Sequence, residues 1–159
     1  LAITREDRAW LGEQGIRFDI TVIPPLTLGD EYVKTKGHYH PDNPAGVGYP
    51  ELYGVLAGEA RSLLQKKALS DVVAVTARAG ESVLIPPGYG HVTINPGRGV
   101  LVMANLVSTR FASEYDFYEE MQGGAYYEME GGWVRNPRYE GAALRVVPAA
   151  GRVLGICMI

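Results

Sequence analysis

Residues 35–40 have the sequence TKGHYH and place two imidazoles, His38 and His40, two positions apart in an extended run. Side chains two positions apart project from the same face of a strand, so both imidazoles can bind one ion. Glu51 begins the next apolar run, after a loop rich in proline and glycine at residues 41–50. A carboxylate at that point is placed to reach the same ion.

The third histidine, His91, follows a turn of sequence PPGYG at residues 86–90. In the alternating run after this turn, His91 shares one face with Thr93 and Asn95, whereas valine and isoleucine occupy the other face. We therefore expect this polar face to line a cavity inside a barrel. The chain contains three histidines, and all of them fall in this one arrangement.

Imidazole nitrogens together with one carboxylate oxygen suit zinc, iron, manganese, nickel or cobalt, and the spacing does not choose among these ions. The alternative interpretation is that His38 and His40 are surface residues of a strand, that His91 is hydrogen-bonded in a turn, and that Glu51 is a solvated charge. An isolated His-x-His pair would favour that alternative. The additional glutamate and histidine favour a metal site.

Short apolar or alternating runs lie on both sides of these residues. Residues 17–23 alternate until two prolines stop the pattern, which predicts a half-buried strand. Turn signals separate the runs at regular intervals, and no βαβ rhythm is present. This pattern is typical of an all-β barrel or sandwich. Further strands are expected at residues 31–39, 51–56, 59–65, 72–76, 82–85, 92–95 and 100–107.

Helices are predicted only outside these runs. Thr4 lies three residues before Asp7, which predicts a short capped helix over residues 4–14. A second helix is expected from about Ser113 through Met121, followed by a hairpin over residues 126–134. The two tryptophans, at positions 10 and 133, are interpreted as core aromatics.

The composition excludes several classes of protein. Apolar residues make up 47% and charged residues 21% of the 159 residues, which argues against disorder. The formal net charge of -3 and the absence of a basic cluster argue against a nucleic-acid partner. The apolar stretches are too short to span a bilayer, so we expect no membrane association. The single cysteine, Cys157, forms no intrachain disulfide, and we expect a cytoplasmic location. The sequence begins at Leu1 rather than methionine, which is consistent with missing N-terminal residues.

Three groups of motifs resemble the cupin-type (archaeal-type) phosphoglucose isomerases. The first motif of that family is similar to TKGHYH at residues 35–40 and to ELYGVLAGE at residues 51–59. The second is similar to AGE at 79–81, IPP at 85–87 and GHVTINPG at 90–97, and the closing segment is similar to NPRY at 136–139. The resemblance implies a cupin fold, a double-stranded β-helix or jelly-roll barrel, with a short N-terminal helix and a C-terminal helix plus hairpin. We expect one domain over residues 1–159, with the barrel core at about 17–107 and a C-terminal extension at about 110–159.

The resemblance also implies an activity: interconversion of glucose 6-phosphate and fructose 6-phosphate in glycolysis and gluconeogenesis by a homodimer. It implies one divalent metal per subunit (iron, manganese, zinc or nickel). The roles implied for individual residues are metal binding by His38, His40, Glu51 and His91, catalysis by Glu51 and Tyr53, and positions near the substrate phosphate for Thr35 and Gly37. We also expect Lys36 and Tyr89 to bind the substrate.

Other functions are compatible with the same residues. A cupin with this metal site could bind a small ligand as a sensor or storage protein without catalysis, or act on another sugar phosphate. It could also be a dioxygenase, because one fold supports many chemistries. A metal-free structural barrel is the remaining alternative. This chain departs from the best-known family members in its longer loop at residues 41–50 and in the position of Tyr89, and it has VSTR at residues 107–110 where those members carry phosphate-contacting tyrosines.

Overall fold

The computed structural model of the protein describes residues 3–141 and 143–149, and these residues form two helices and twelve strands. Strands dominate, which confirms the all-β prediction. Neither helix in the described part of the chain is long and apolar enough to cross a membrane. The elements in chain order are α1 Arg5–Glu13, β1 Ile16–Ile23, β2 Thr27–Leu28, β3 Glu31–Tyr32, β4 Glu51–Ala57, β5 Glu59–Lys66, β6 Val72–Arg78, β7 Ser82–Ile85, β8 Tyr89–Ile94, β9 Leu101–Ser108, α2 Asp116–Glu120, β10 Tyr126–Met129, β11 Gly132–Arg135 and β12 Leu144–Pro148.

Two four-stranded sheets form the barrel. The first sheet has the strand order β1, β9, β4, β7, and the second has the order β12, β6, β5, β8. Apolar side chains fill the space between them, and Ile85, Leu101 and Met103 are completely buried. Burial of each such side chain contributes about 1.5–3 kcal/mol. This arrangement is the cupin barrel that the family resemblance implied.

The segment that carries His38 and His40 lies beside β8 but does not form the long regular strand predicted over residues 31–39. Only Glu31–Tyr32 is assigned as strand, and isolated bridges follow, including one between His38 and His91. The physical reason is that a side chain replaces a backbone acceptor between this segment and β8. The amide of Thr93 donates to Oγ1 of Thr35 at 2.9 Å instead of to a backbone carbonyl. The segment nevertheless follows β8 closely enough to fix its histidines.

The C-terminal part, with α2 and the hairpin of β10 and β11, packs against one face of the second sheet, where Tyr118 and Ala125 join Leu63, Val92 and Ile94 in a core cluster. This hairpin confirms the prediction for residues 126–134. The helix is shorter than predicted, because the amide of Glu114 donates to the carbonyl of Tyr39 and the amide of Tyr39 donates to the carbonyl of Glu114. This pairing holds residue 114 extended, so Ser113 does not cap the helix.

The N-terminal helix α1 has the predicted capping box, since the amide of Asp7 donates to Oγ1 of Thr4 and the amide of Thr4 donates to the carboxylate of Asp7. The prediction that Trp10 is a core residue is wrong: α1 buries none of its side chains, and Trp10 is 58% exposed. Cys157 lies outside the described residues. The assignment of residues 1–159 to one domain stays a prediction.

Candidate metal centre

Four side chains predicted as metal ligands meet inside the barrel. One ligand atom from each of His38, His40, Glu51 and His91 lies within 4.8 Å of the others. Oε2 of Glu51 is 3.3 Å from Nε2 of His40 and 3.2 Å from Nε2 of His91. Three of the four residues are buried, and His38 is half-buried on the cavity side. The structure therefore brings together the whole set that the sequence indicated.

Three different parts of the fold position this cluster. Glu51 is the first residue of β4, where it pairs with Val107 on β9 and with Ile85 on β7. His91 lies on β8 in the opposite sheet, and two backbone hydrogen bonds join it to His38. The carboxylate and the imidazoles thus converge from the two sheets of the barrel.

Backbone carbonyls fix the orientation of two imidazole rings. Nδ1 of His40 lies 2.9 Å from the carbonyl oxygen of Tyr49, and Nδ1 of His38 lies 3.3 Å from that of Lys36. A carbonyl oxygen only accepts, so each Nδ1 carries the proton and each Nε2 keeps a free lone pair for an ion. The loop at residues 41–50 supplies the first of these carbonyls.

The charge states in the cluster suit a divalent cation. Burial of Glu51 raises the pKa of its carboxyl, but the facing imidazoles of His40 and His91 lower it by more, so the pKa lies well below its usual range. Burial, together with the neighbouring His91 and His40, lowers the pKa of His38 to about 4. At neutral pH the cluster presents an ionised carboxylate and, at His38, a neutral imidazole, which are the states that metals bind.

Unsatisfied buried atoms provide the test of whether a metal fits. Nε2 of His40, Nε2 of His91 and Oε2 of Glu51 are buried and have no hydrogen-bond partner. A buried polar atom without a partner costs about 1–3 kcal/mol. All three atoms point toward one another, so one cation between them would satisfy them together. Three imidazoles and one carboxylate suit a divalent transition metal.

A cavity of about 580 Å³ opens directly onto this cluster. Glu51, His38 and His40 contribute to its wall, and so do the predicted catalytic Tyr53 and the predicted substrate-binding Thr35 and Lys36. Burial, followed by the charge of Glu51, raises the pKa of Tyr53 far above its usual range, so the phenol stays protonated. The other residues of the wall are Arg17, Asp19, Thr21, Asn105, Val107, Ser108, Phe111, Ala112, Ser113 and Tyr115.

Two predicted substrate-binding residues are not part of the cavity wall. The hydroxyl of Tyr89 donates to Asp71 at 2.8 Å, on another side of the barrel. Gly37 packs against Tyr118 and Val92: a Cβ at position 37 would lie 2.2 Å from the ring of Tyr118 and 2.7 Å from Val92. Close packing therefore explains the glycine at position 37. A substrate role for either residue stays a prediction.

The polar face expected along β8 does not line the cavity. His91 is in the cluster of four candidate ligands, but the hydroxyl of Thr93 is 3.4 Å from Ser62, and the amide of Asn95 donates to the carbonyls of Ile23 and Gly99. The side chains of Thr93 and Asn95 thus have partners within the barrel wall, and neither residue lines the cavity.

The sequence interpretation missed Asn105 and Phe111, which both touch the candidate ligands. The amide of Asn105 donates to Oε1 of Glu51 at 2.7 Å. The ring of Phe111 lies 4.5 Å from that of His40 and stacks on Tyr49 at 4.7 Å. A sequence signal existed for Asn105, because it is the one polar residue inside the apolar run LVMANLV at 101–107.

Comparison with solved structures supports the fold. Oxalate oxidase in complex with glycolate matches with a TM-score of 0.52 and 21% identity, over 64% of this chain and 46% of that chain. The capsular polysaccharide assembling protein CapF from Staphylococcus aureus matches with a TM-score of 0.50 and 16% identity, over 62% of this chain and 26% of that chain. At these identities the likeness establishes the barrel alone.

Sequence comparison establishes the family. A family model described as Glucose-6-phosphate isomerase (GPI) matches residues 2–144. A glucose-6-phosphate isomerase from Thermococcus gammatolerans is 30% identical over 87% of this chain and 70% of its own length. Another from Thermococcus litoralis is 33% identical over 72% of this chain and 55% of its own length. The chain therefore belongs to the cupin-type glucose-6-phosphate isomerase family.

Proposed function

We propose that this chain is a metal-dependent aldose–ketose isomerase that interconverts glucose 6-phosphate and fructose 6-phosphate, the reaction of glycolysis and gluconeogenesis. One observation carries the proposal: in a member of this family, three imidazoles and one carboxylate come together at a cavity of about 580 Å³, with His38, His40 and Glu51 on its wall. We propose one divalent ion per subunit, which is iron, manganese, zinc or nickel. The cytoplasmic location stays a prediction.

The residues of the cavity supply the remaining parts of the chemistry. A bound divalent metal provides Lewis-acid polarisation of the sugar oxygens. Exchange between an aldose and a ketose also requires a base beside C1 and C2 of the sugar. Glu51 lies on the cavity wall, and we assign its carboxylate to take up and return this proton. The protonated phenol of Tyr53, on the same wall, is placed to donate a hydrogen bond to a sugar oxygen.

The test of the reaction class is an assay of purified protein with fructose 6-phosphate, in which the formation of glucose 6-phosphate is followed by a coupled dehydrogenase. The proposal predicts steady turnover without oxygen consumption. Binding of the sugar phosphate without turnover would instead identify a sensor, and oxygen uptake with another substrate would identify a dioxygenase. Turnover of a different sugar phosphate alone would keep the isomerase class and change the substrate.

Replacing Thr35 with alanine tests the assignment of this residue to the phosphate end of the substrate. Thr35 lines the cavity but is not in the metal cluster, so we expect unchanged metal content. Loss of one hydrogen bond to a charged group, about 1.5–3 kcal/mol, predicts a KM for fructose 6-phosphate that is about 10–150-fold higher. Thr76→Ala, on β6 and away from the cavity wall, is the matched control. An unchanged KM in folded Thr35→Ala would refute the assignment.

We propose that the protein is a homodimer, and the outer face of the first sheet supports this proposal. Ile20 and Val22 on β1 are 47% and 60% exposed, and Leu84 on β7 is 56% exposed. Between them, Leu52 and Leu106 are half-buried at paired positions on β4 and β9. A contiguous apolar patch of this kind marks a protein–protein interface.

Light scattering on the purified protein tests the dimer. We expect a mass of about twice the 17.3 kDa of the chain, and a shift toward the monomer in Val22→Lys, since burying an unpaired charge opposes association. Val134→Lys is the control, because Val134 has a similar exposure of 51% but lies on β11. A monomeric wild type at micromolar concentration would contradict the proposal.

A further inference from the structure

Asn105 is a buried polar residue on the inner face of the barrel. It lies on β9 between β1 and β4, opposite Asp19 on one side and Tyr53 on the other, and it is 5% exposed. Its neighbours in the strand are apolar, and a buried amide costs stability unless its hydrogen bonds are made. Its Nδ2 donates to Oε1 of Glu51 at 2.7 Å.

This hydrogen bond makes the two oxygens of the Glu51 carboxylate different. Oε1 has a partner in Asn105, whereas Oε2 is buried without one and faces Nε2 of His40 at 3.3 Å and Nε2 of His91 at 3.2 Å. An ionised carboxylate only accepts hydrogen bonds, so the amide of Asn105 must present its N–H₂ group, not its oxygen. The hydrogen bond to Oε1 restricts rotation of the carboxylate plane and leaves Oε2 facing the two imidazoles.

We propose that Asn105 is a positioning residue that holds Oε1 of Glu51 and thereby presents Oε2 to the metal. This inference rests on the metal centre of the proposed function. Asn105 acts through Glu51 and needs no contact with the ion or the sugar. Its role resembles that of the carbonyls of Tyr49 and Lys36, which orient His40 and His38 in the same way. Every ligand except His91 therefore has an orienting partner among the described residues.

Titration of the metal-free protein with Co²⁺ tests this proposal without measuring catalysis. Partners that orient metal ligands typically contribute about 10–100-fold to metal affinity. Asn105→Leu keeps the approximate size of the side chain and removes the N–H₂ group, so we expect the Kd for Co²⁺ to rise by this factor. We also expect an altered visible absorption spectrum of the bound Co²⁺, because the carboxylate is free to rotate.

The matched control is Asn95→Leu, the same change at a buried asparagine. The amide of Asn95 donates to the backbone carbonyls of Ile23 and Gly99, and Asn95 is not in the cavity wall. We expect this variant to lose thermal stability and to keep the Co²⁺ affinity and spectrum of the wild type. Should Asn105→Leu not fold, Asn105→Ser makes the same test with a smaller side chain.

The outcomes separate the two proposals. A wild type that binds no Co²⁺ would overturn the metal centre itself. A wild type that binds Co²⁺, together with a folded Asn105 variant of equal affinity and identical spectrum, would overturn only the role of Asn105. An equal loss of affinity in Asn95→Leu would also overturn it, since the effect would then come from general loosening of the barrel.

Discussion

Replacing His91 with alanine is expected to remove metal binding and isomerase activity together. His91 is 1% exposed, it supplies one of the Nε2 atoms that face Glu51, and its backbone hydrogen bonds join the segment of His38 to β8. Loss of a direct ligand should weaken metal binding by more than the about 10–100-fold typical of a residue that only orients a ligand. A bound metal stabilises the charge that develops in the transition state by several kcal/mol, so kcat should fall by about 10³-fold or more when the metal is lost.

The control for this variant is Thr93→Ala. Thr93 is on the same strand, two residues further on, and equally buried, but it is not one of the four candidate ligands. Metal content is measured by elemental analysis after gel filtration, and folding by circular dichroism. A folded His91→Ala protein with one metal per chain would refute the assignment of His91 as a ligand.

Replacing Glu51 with glutamine is expected to separate the two roles assigned to this carboxylate. Glutamine has nearly the same shape but carries no charge and cannot act as a base at neutral pH. The metal affinity should fall because the ligand set loses its only negative charge. At metal concentrations that restore full occupancy, kcat should still be lower by about 10²–10⁴-fold, the typical contribution of a general base.

The measurement is kcat at saturating metal, with occupancy determined in the same samples. Glu59→Gln is the matched control, because the Glu59 carboxylate pairs with Arg78 and lies outside the cavity wall. If Glu51→Gln recovers the wild-type kcat once its site is full, Glu51 is a ligand and not the base. Retention of hydrogen from C2 in the product would then point to a hydride shift.

The sequence was sufficient to predict that these four side chains come together, because the residue patterns that indicate it are local. His38 and His40 lie on the same face because side chains alternate between the two faces of an extended segment, and the same alternation along β8 separates His91 from its apolar neighbours. The barrel then needs only to bring the two segments together, and the bridge between His38 and His91 does so. Family membership, which rests on the same motifs, agrees with this prediction.

The wrong structural predictions have their causes in contacts between residues that are distant in the sequence, and local sequence patterns do not contain these contacts. The helix α2 starts late because residue 114 pairs with Tyr39, which is distant in the sequence. Thr93 and Asn95 share the face of His91, but other strands cover them, so of this face only His91 reaches the cluster of candidate ligands. Asn105 was missed because its significance depends on Glu51 lying diagonally across from it on a neighbouring strand.

The central claim is that a divalent metal held by His38, His40, Glu51 and His91 is required for isomerisation. The most direct test is the conversion of fructose 6-phosphate to glucose 6-phosphate by the same protein sample before chelation, after chelation, and after addition of manganese, iron, zinc or nickel. We expect turnover to disappear with the metal and to return with at least one of these ions. Undiminished turnover by protein shown to be free of metal would contradict the account.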